Sequence, residues 1–308
     1  MTTICPVCES GDTAIQAKYR SDNHIFDEIN RILCRECGMV FAAPLPTAKD
    51  LQIFNSNYYE AAHGGQATHK SARAFFSGIA LLRIAHLQRY LTKHKTTVSR
   101  ILELGPGPGY FAQHWLNYEP NSSYYAIETD VTLHDTLKEL GVQLLGISDE
   151  DTRPELLDLV VMSHVLEHIP QPREFLEQAT NKLRTGGALF IEVPCRDFEH
   201  KLVDAPHLLF FDKSPMTHLL TNLGFTLIEV SYHGKLITDL RSTTPTQAMW
   251  QKVRAKLIRL GLVSPFSRTH HGMEPVVDPY ARAVIAPFQA HRESHNPAWW
   301  LRAVALKS

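Results

Sequence analysis

The segment Glu103-Leu104-Gly105-Pro106-Gly107-Pro108-Gly109 places three glycines at alternate positions between the apolar pair Ile101-Leu102 and the aromatic pair Tyr110-Phe111. A bend without Cβ atoms lets the backbone come against a cofactor, with a strand before it and a helix after it. Roughly twenty residues past the first glycine, Glu128 ends the strand-like run Ser123-Tyr124-Tyr125-Ala126-Ile127, where an acid grips the two hydroxyls of a ribose. A surface acid at a strand end is the alternative for Glu128, and the glycine loop favours the ribose. A dinucleotide fingerprint needs a further glycine where Tyr110 stands. Glu103 sets a negative charge beside the loop, which repels phosphate and attracts a sulfonium; equally, it could accept from loop amides. Together these point to S-adenosylmethionine, with S-adenosylhomocysteine as product, held by Glu103, Gly105, Pro106, Gly107, Gly109, Tyr110, Phe111 and Glu128.

Four of the five cysteines form two tight pairs, Cys5-Pro-Val-Cys8 and Cys34-Arg-Glu-Cys37. Each CxxC turn converges two thiolates, and two such turns close a tetrahedral sulfur site suited to zinc. Four protein ligands leave no open coordination position, so Zn2+ there is structural. A hairpin through Ala14 to Tyr19 and Asn30 to Leu33 would fill the interval, with Gly11 and Gly38 supplying left-handed turns. A redox or adventitious set of cysteines is the alternative. Cys195 stands alone.

These residues require elements to position them. Beyond the loop, the segments Leu157 to Ile169 and Leu183 to Pro194 each join a strand to a turn or helix end. The chain resembles a class I S-adenosylmethionine-dependent methyltransferase from about Arg100 to Gly234, and again in its last residues. The resemblance implies a Rossmann-like α/β fold: a seven-stranded, mostly parallel sheet with helices on both faces, and a last strand running antiparallel beside the sixth. It implies that Ser163 and His164, after the fourth strand, lie over the cofactor. The family often carries an acid near adenine after the third strand. Here Leu144 to Ser148 offers Ile147 and Ser148 instead, and Ser148 or the backbone would serve.

The CxxC pairs, followed by Met39 to Thr47 and then Tyr58-Tyr59, are similar to zinc-bearing methyltransferases of sugar and natural-product pathways, such as antibiotic deoxysugar C-methyltransferases. This chain departs from those in being shorter, without their large extra C-terminal domain, and in lacking their paired Glu-His after the fifth strand. Their substrate and base therefore do not carry over.

The expected organisation is a zinc ribbon (1–45), a helical connector (46–95) with apolar positions at helical spacing from Phe75 to Leu91, a methyltransferase core (96–234), a helical insertion serving as substrate lid (235–296), and the last strand (297–308). In the insertion Met249, Trp250, Val253, Leu257 and Leu260 fall on one helical face, with Lys252, Arg254, Lys256 and Arg259 on the rest. The face could pack while the basic residues stay solvated, or one arginine could bind a substrate phosphate. His270, His271 and Glu274 lack a fourth placed metal ligand.

A sulfonium methyl is already electrophilic, so holding the acceptor in line supplies most of the acceleration, and a general base helps where the acceptor carries a proton. His168, in Leu166-Glu167-His168-Ile169, and His207, before Leu208-Leu209-Phe210-Phe211, are the candidates, with His207 preferred. Among seventeen histidines, a structural role is the standing alternative for each. Arg196 could bind an anionic substrate or pair with Asp197 or Glu199.

At 308 residues, 44% hydrophobic and 20% charged, the chain can bury a substantial core. A net charge of −1 weakens polyanions and acidic membranes as partners. No leader or spanning run is evident, which with the paired cysteines suggests a cytoplasmic enzyme. The expected activity is methyl transfer to a small polar molecule, a sugar derivative or natural-product intermediate. An rRNA or tRNA methyltransferase with a zinc module and a non-catalytic methyltransferase-like scaffold are the alternatives. Sequence leaves the oligomeric state open.

Overall fold

The structure is a computed structural model that describes residues 3–47, 49–51, 70–146, 156–241, 246, 249–250, 253–254, 256–257, 260, 262 and 271–308. Ser148, Tyr58, Tyr59, Lys252, Arg259 and His270 lie outside the described residues.

Strands β1 (Thr13–Lys18), β2 (Asn30–Cys34) and β3 (Val40–Ala43) form an antiparallel meander. Helix α1 (Lys70–Lys93) follows, then β4 (Arg100–Leu104), α2 (Tyr110–Tyr118), β5 (Ser123–Ile127), α3 (His134–Glu139) and the short β6 (Gln143–Leu144). Next come β7 (Leu157–Ser163), α4 (Pro172–Thr180), β8 (Leu183–Pro194), β9 (Leu209–Phe210), α5 (Lys213–Asn222) and β10 (Phe225–Leu236). The chain closes with α6 (Ile237–Arg241), α7 (Pro279–Ile285), β11 (Glu293–Ser294) and β12 (Ala298–Lys307).

Among the described residues the large sheet has the order β11-β10-β12-β8-β7-β4-β5-β6. Strands β8, β7, β4, β5 and β6 are mutually parallel, and β12 runs antiparallel to both β8 and β10. The sheet thus has the expected Rossmann-like order, with one strand beyond the expected seven, the two-residue edge β11. Strands covered by helices on both faces read as continuous apolar runs, and Leu157, Leu159 to Met162 and Ala188 to Ile191 are buried accordingly.

One face packs α4 and α5, through Leu176, Met216 and Leu219, into the same core as the cysteine module. The other packs α1, α2 and α3 through Leu87, Trp115 and Leu137. The far end of α1 meets α7 through Ile79, Leu82 and Ile285. No described helix is long and apolar enough to cross a membrane.

Two expectations change. The hairpin before the second cysteine pair forms as read, but the left-handed residue in the first turn is Glu9 (φ 61°), not Gly11, whereas Gly38 does turn left-handed (φ 80°). In the insertion, Met249, Trp250, Val253 and Leu260 are exposed rather than packed. Periodicity places apolar residues on one face without saying what that face meets.

The meander is not a separate body. Strand β9 joins it as a fourth strand beside β3, pairing Val40 with Phe210 and Phe41 with Leu209. Asp204 accepts from Arg20 and Arg31, and Ser214 donates to the Cys37 carbonyl at 3.0 Å.

Candidate active site

The glycine loop leaves β4 at its carboxyl end, beside β5 and β7, where an open α/β sheet binds ligands. Gly105, Gly107 and Gly109 all have positive φ (64°, 54° and 78°). Their surroundings differ. A Cβ on Gly105 would stand 2.8 Å from Val165, and one on Gly109 would stand 2.8 Å from Leu137 and Leu140, whereas one on Gly107 would meet nothing within 4 Å. Gly107 therefore turns bare backbone toward open space while the outer glycines fit against side chains. Gly109 starts α2, and its N–H donates to the Pro106 carbonyl at 3.0 Å.

Glu128 ties this loop to the next. It accepts from the Gly107 N–H and from the Asp130 N–H, each at 2.9 Å, one on each carboxylate oxygen. A carboxylate has about four lone-pair sites, so two remain for hydroxyl donors.

Glu103 lies under the loop rather than displayed on it. It is 3% exposed and accepts from the Tyr124 hydroxyl at 2.7 Å. Burial pushes its carboxyl up to about 7, opposed by the Tyr124 hydrogen bond. The expected full negative charge beside the loop is thus reduced. Phe111 also departs from expectation, since it points into the core and stacks on Trp115. Tyr110 remains half-buried and stacks on Phe76.

At the end of β7 the Ser163 hydroxyl is buried with no hydrogen-bond partner. His164 adopts a left-handed backbone (φ 58°), and its ring lies 3.2 Å from Glu167 and 3.4 Å from Glu192. Burial opposes its charge, but the bonds to Glu167 and Glu192 outweigh it and raise its pKa.

The two histidines singled out from sequence meet here. The rings of His168 and His207 pack edge to face with centroids 4.9 Å apart. His207 Nδ1 lies 2.7 Å from Asp197 Oδ2, and its carbonyl accepts from the Tyr19 hydroxyl at 2.9 Å. Burial pushes His168 down to about 4. Arg196 is engaged by Glu199 and Asp212, which favours the structural reading of that arginine. His271 and Glu274 are exposed and 3.5 Å apart. A cleft of about 630 Å3 runs along α1, lined by Arg89, His233 and Arg302 among others, and one of about 410 Å3 is lined by Arg89, His271, His291 and Glu293; neither is lined by the glycine loop.

Sequence reasoning passed over Glu167 and Glu192. Glu192 accepts from both Arg83 and Arg302 (2.6 Å to Arg302). The burial of an acid inside the apolar run Phe190-Ile191-Glu192-Val193 was the available signal.

The sulfurs of Cys5, Cys8, Cys34 and Cys37 lie within 4.8 Å of one another, with Cys5 to Cys37 at 3.7 Å and Cys8 to Cys34 at 3.4 Å, and none forms a disulfide. Tetrahedral zinc with bonds of about 2.3 Å separates its sulfurs by about 3.8 Å. The Cys37 hydrogen bond takes Cys5 down to about 5, while burial pushes Cys8 up to about 11. Three of these thiols are buried and Cys8 is half-buried, and a cation at their centre would offset the charge of four thiolates.

Residues 77–230, half of the chain, match the family model described as a methyltransferase domain. The chain belongs to the methyltransferase domain family. No curated protein matches this methyltransferase significantly. Similar solved structures include a Thermotoga maritima SAM-dependent methyltransferase described as a possible histamine N-methyltransferase (14% identity, TM-score 0.43, 76% of this chain and 100% of that one). Another is the plantazolicin methyltransferase BpumL bound to SAH (17%, TM-score 0.46, 85% and 91%). A third is Haemonchus contortus phosphoethanolamine N-methyltransferase 2 with S-adenosyl-L-methionine (16%, TM-score 0.42, 69% and 49%).

Proposed function

We propose that this methyltransferase takes its methyl group from S-adenosylmethionine and delivers it to a small polar acceptor, a sugar derivative or biosynthetic intermediate. The observation that carries the donor assignment is Gly107, whose bare backbone faces open space while its N–H is fixed by Glu128. Gly105, Pro106, Gly107 and Tyr110 would form the cradle, and the two remaining lone-pair sites of Glu128 would take the ribose hydroxyls. The sulfonium supplies an electrophilic methyl, and the chain's own residues orient the acceptor. Ser163 and His164 would line the cofactor side, and His168 and His207 the acceptor side, where they handle the atom to be methylated.

Cys5, Cys8, Cys34 and Cys37 would hold a structural zinc. Its effect would reach the acceptor side, because the meander it braces carries β9 and, through Tyr19, Arg20 and Arg31, the segment from Asp204 to Phe210. Calorimetric titration with S-adenosylmethionine tests the reading. The expected result is one bound molecule per chain, and a folded chain that binds none would overturn it.

A further inference from the structure

Glu167, His168 and His207 bring one ligand atom each to within 4.8 Å of one another. Glu167 is 1% exposed; His164 Nδ1 meets its Oε1 at 3.2 Å, and its other carboxylate oxygen is buried with no hydrogen-bond partner among the described residues. A carboxylate taken out of water is costly unless donors or a cation meet both oxygens.

The two rings are held from behind. Asp197 Oδ2 faces His207 Nδ1 at 2.7 Å, so the proton is fixed there and Nε2 keeps its lone pair. The backbone of Pro206, the residue before His207, meets His168 from the outer side. Outer acceptors that fix the tautomer and aim the inner nitrogen are the usual surroundings of metal-binding histidines. The backbone closes the cluster, since the Leu208 N–H donates to the Glu167 carbonyl at 2.8 Å. A hydrogen-bonded Asp197–His207 pair and the His164–Glu167 contact would leave the second buried oxygen of Glu167 unanswered.

We infer that Glu167, His168 and His207 hold a divalent cation of the class that accepts two imidazoles and one carboxylate, such as manganese, iron(II), cobalt or zinc. This rests on the methyl-transfer reading and narrows it: the acceptor is a hydroxyl compound whose oxygen binds the cation. An oxygen so bound loses its proton near neutral pH. The proton passes to solvent, and an oxygen lone pair forms the new bond to the methyl carbon. The carbon–sulfur bond breaks with its electrons on sulfur, leaving S-adenosylhomocysteine. His168 and His207 then act as ligands, and Asp197 as a positioning residue.

The test uses the full chain with zinc in its cysteine site, titrated with Mn2+ alone and followed by electron paramagnetic resonance and calorimetry. One Mn2+ per chain is expected. Glu167→Gln should abolish uptake, and Asp197→Asn should weaken it about ten- to a hundredfold with zinc content unchanged. Asp197→Asn decides the matter where Glu167→Gln fails to fold. No uptake by the wild-type chain, or equal uptake by the Asp197→Asn chain, overturns the cation site. A parallel titration with S-adenosylmethionine separates the two claims: donor binding without Mn2+ uptake overturns the cation site and leaves methyl transfer standing, whereas Mn2+ uptake without donor binding overturns methyl transfer and the hydroxyl-acceptor role with it.

Discussion

Gly107 and Gly109 share a left-handed backbone but not a neighbourhood, and the difference separates binding from stability. An alanine at Gly107 meets no protein atom, so its cost to the fold is the φ strain, about 1–2 kcal/mol. The methyl would occupy the space proposed for the donor, and S-adenosylmethionine affinity should fall at least about tenfold, a loss of about 1.4 kcal/mol. At Gly109 the same substitution adds a clash with Leu137 and Leu140, and should cost about 2–4 kcal/mol in all. Thermal melts and calorimetry on the two variants check this. Equal losses of affinity and stability at both positions would remove Gly107 from the donor-facing surface. Asp158 offers a residue-scale test against pH. Burial raises its pKa, but Arg184 at 2.6 Å and the amides of Ser99 and Arg100 outweigh that and hold it below the ordinary value. Its stabilisation is therefore complete above about pH 4 and is lost as pH falls through the folded value. Asp158→Asn should lower stability at pH 7 by about 1–2 kcal/mol and flatten the acid limb of a stability-versus-pH curve.

At the scale of elements, what could be read from sequence was what rests on local geometry. The glycine loop, the β1–β2 hairpin and α1 are each fixed by spacing within a few turns of chain. Strand β9 was not legible. Leu208 to Phe211 reads as one apolar wall, and nothing nearby says that two of its residues pair with Val40 and Phe41. The same limit hid Glu167 and Glu192, whose partners arrive from other elements. It also misdirected Phe111, since a residue following a glycine loop can face the cleft or the core with the same spacing. The β3–β9 pairing predicts how metal removal spreads. If the cysteines hold the proposed zinc, a chain prepared without it and otherwise in the same cations should show raised amide exchange at Ala42 and Leu208, which donate to Leu208 and Glu167, while the amides of β4 and β7 stay protected. Hydrogen exchange on zinc-loaded and zinc-free chains, both without added Mn2+, measures it. Unchanged exchange at Leu208 would disconnect the metal from the acceptor side.

Across the whole molecule, one buried carboxylate joins the helical face to the sheet's antiparallel half. Glu192, from β8, accepts from Arg83 of α1 and from Arg302 of β12, and the register sets Arg302 directly opposite it. Burial raises its pKa, and the two guanidinium groups outweigh that and hold the carboxyl well below the ordinary range. Glu192→Gln leaves both guanidinium groups without their counter-charge and should cost about 3–5 kcal/mol, read from denaturant unfolding. A loss under about 1 kcal/mol would mean that water reaches the trio. The pairing of β3 with β9 also bears on how the molecule is made. The cysteine pairs leave the ribosome before the large sheet, and the strand that covers β3 follows only after most of that sheet. At about 5–20 residues per second this leaves the hydrogen-bonding edge of Val40 and Phe41 bare for roughly ten seconds or more. An uncovered apolar edge is a template for pairing between nascent chains, so the first forty-odd residues are where a chaperone has most to protect.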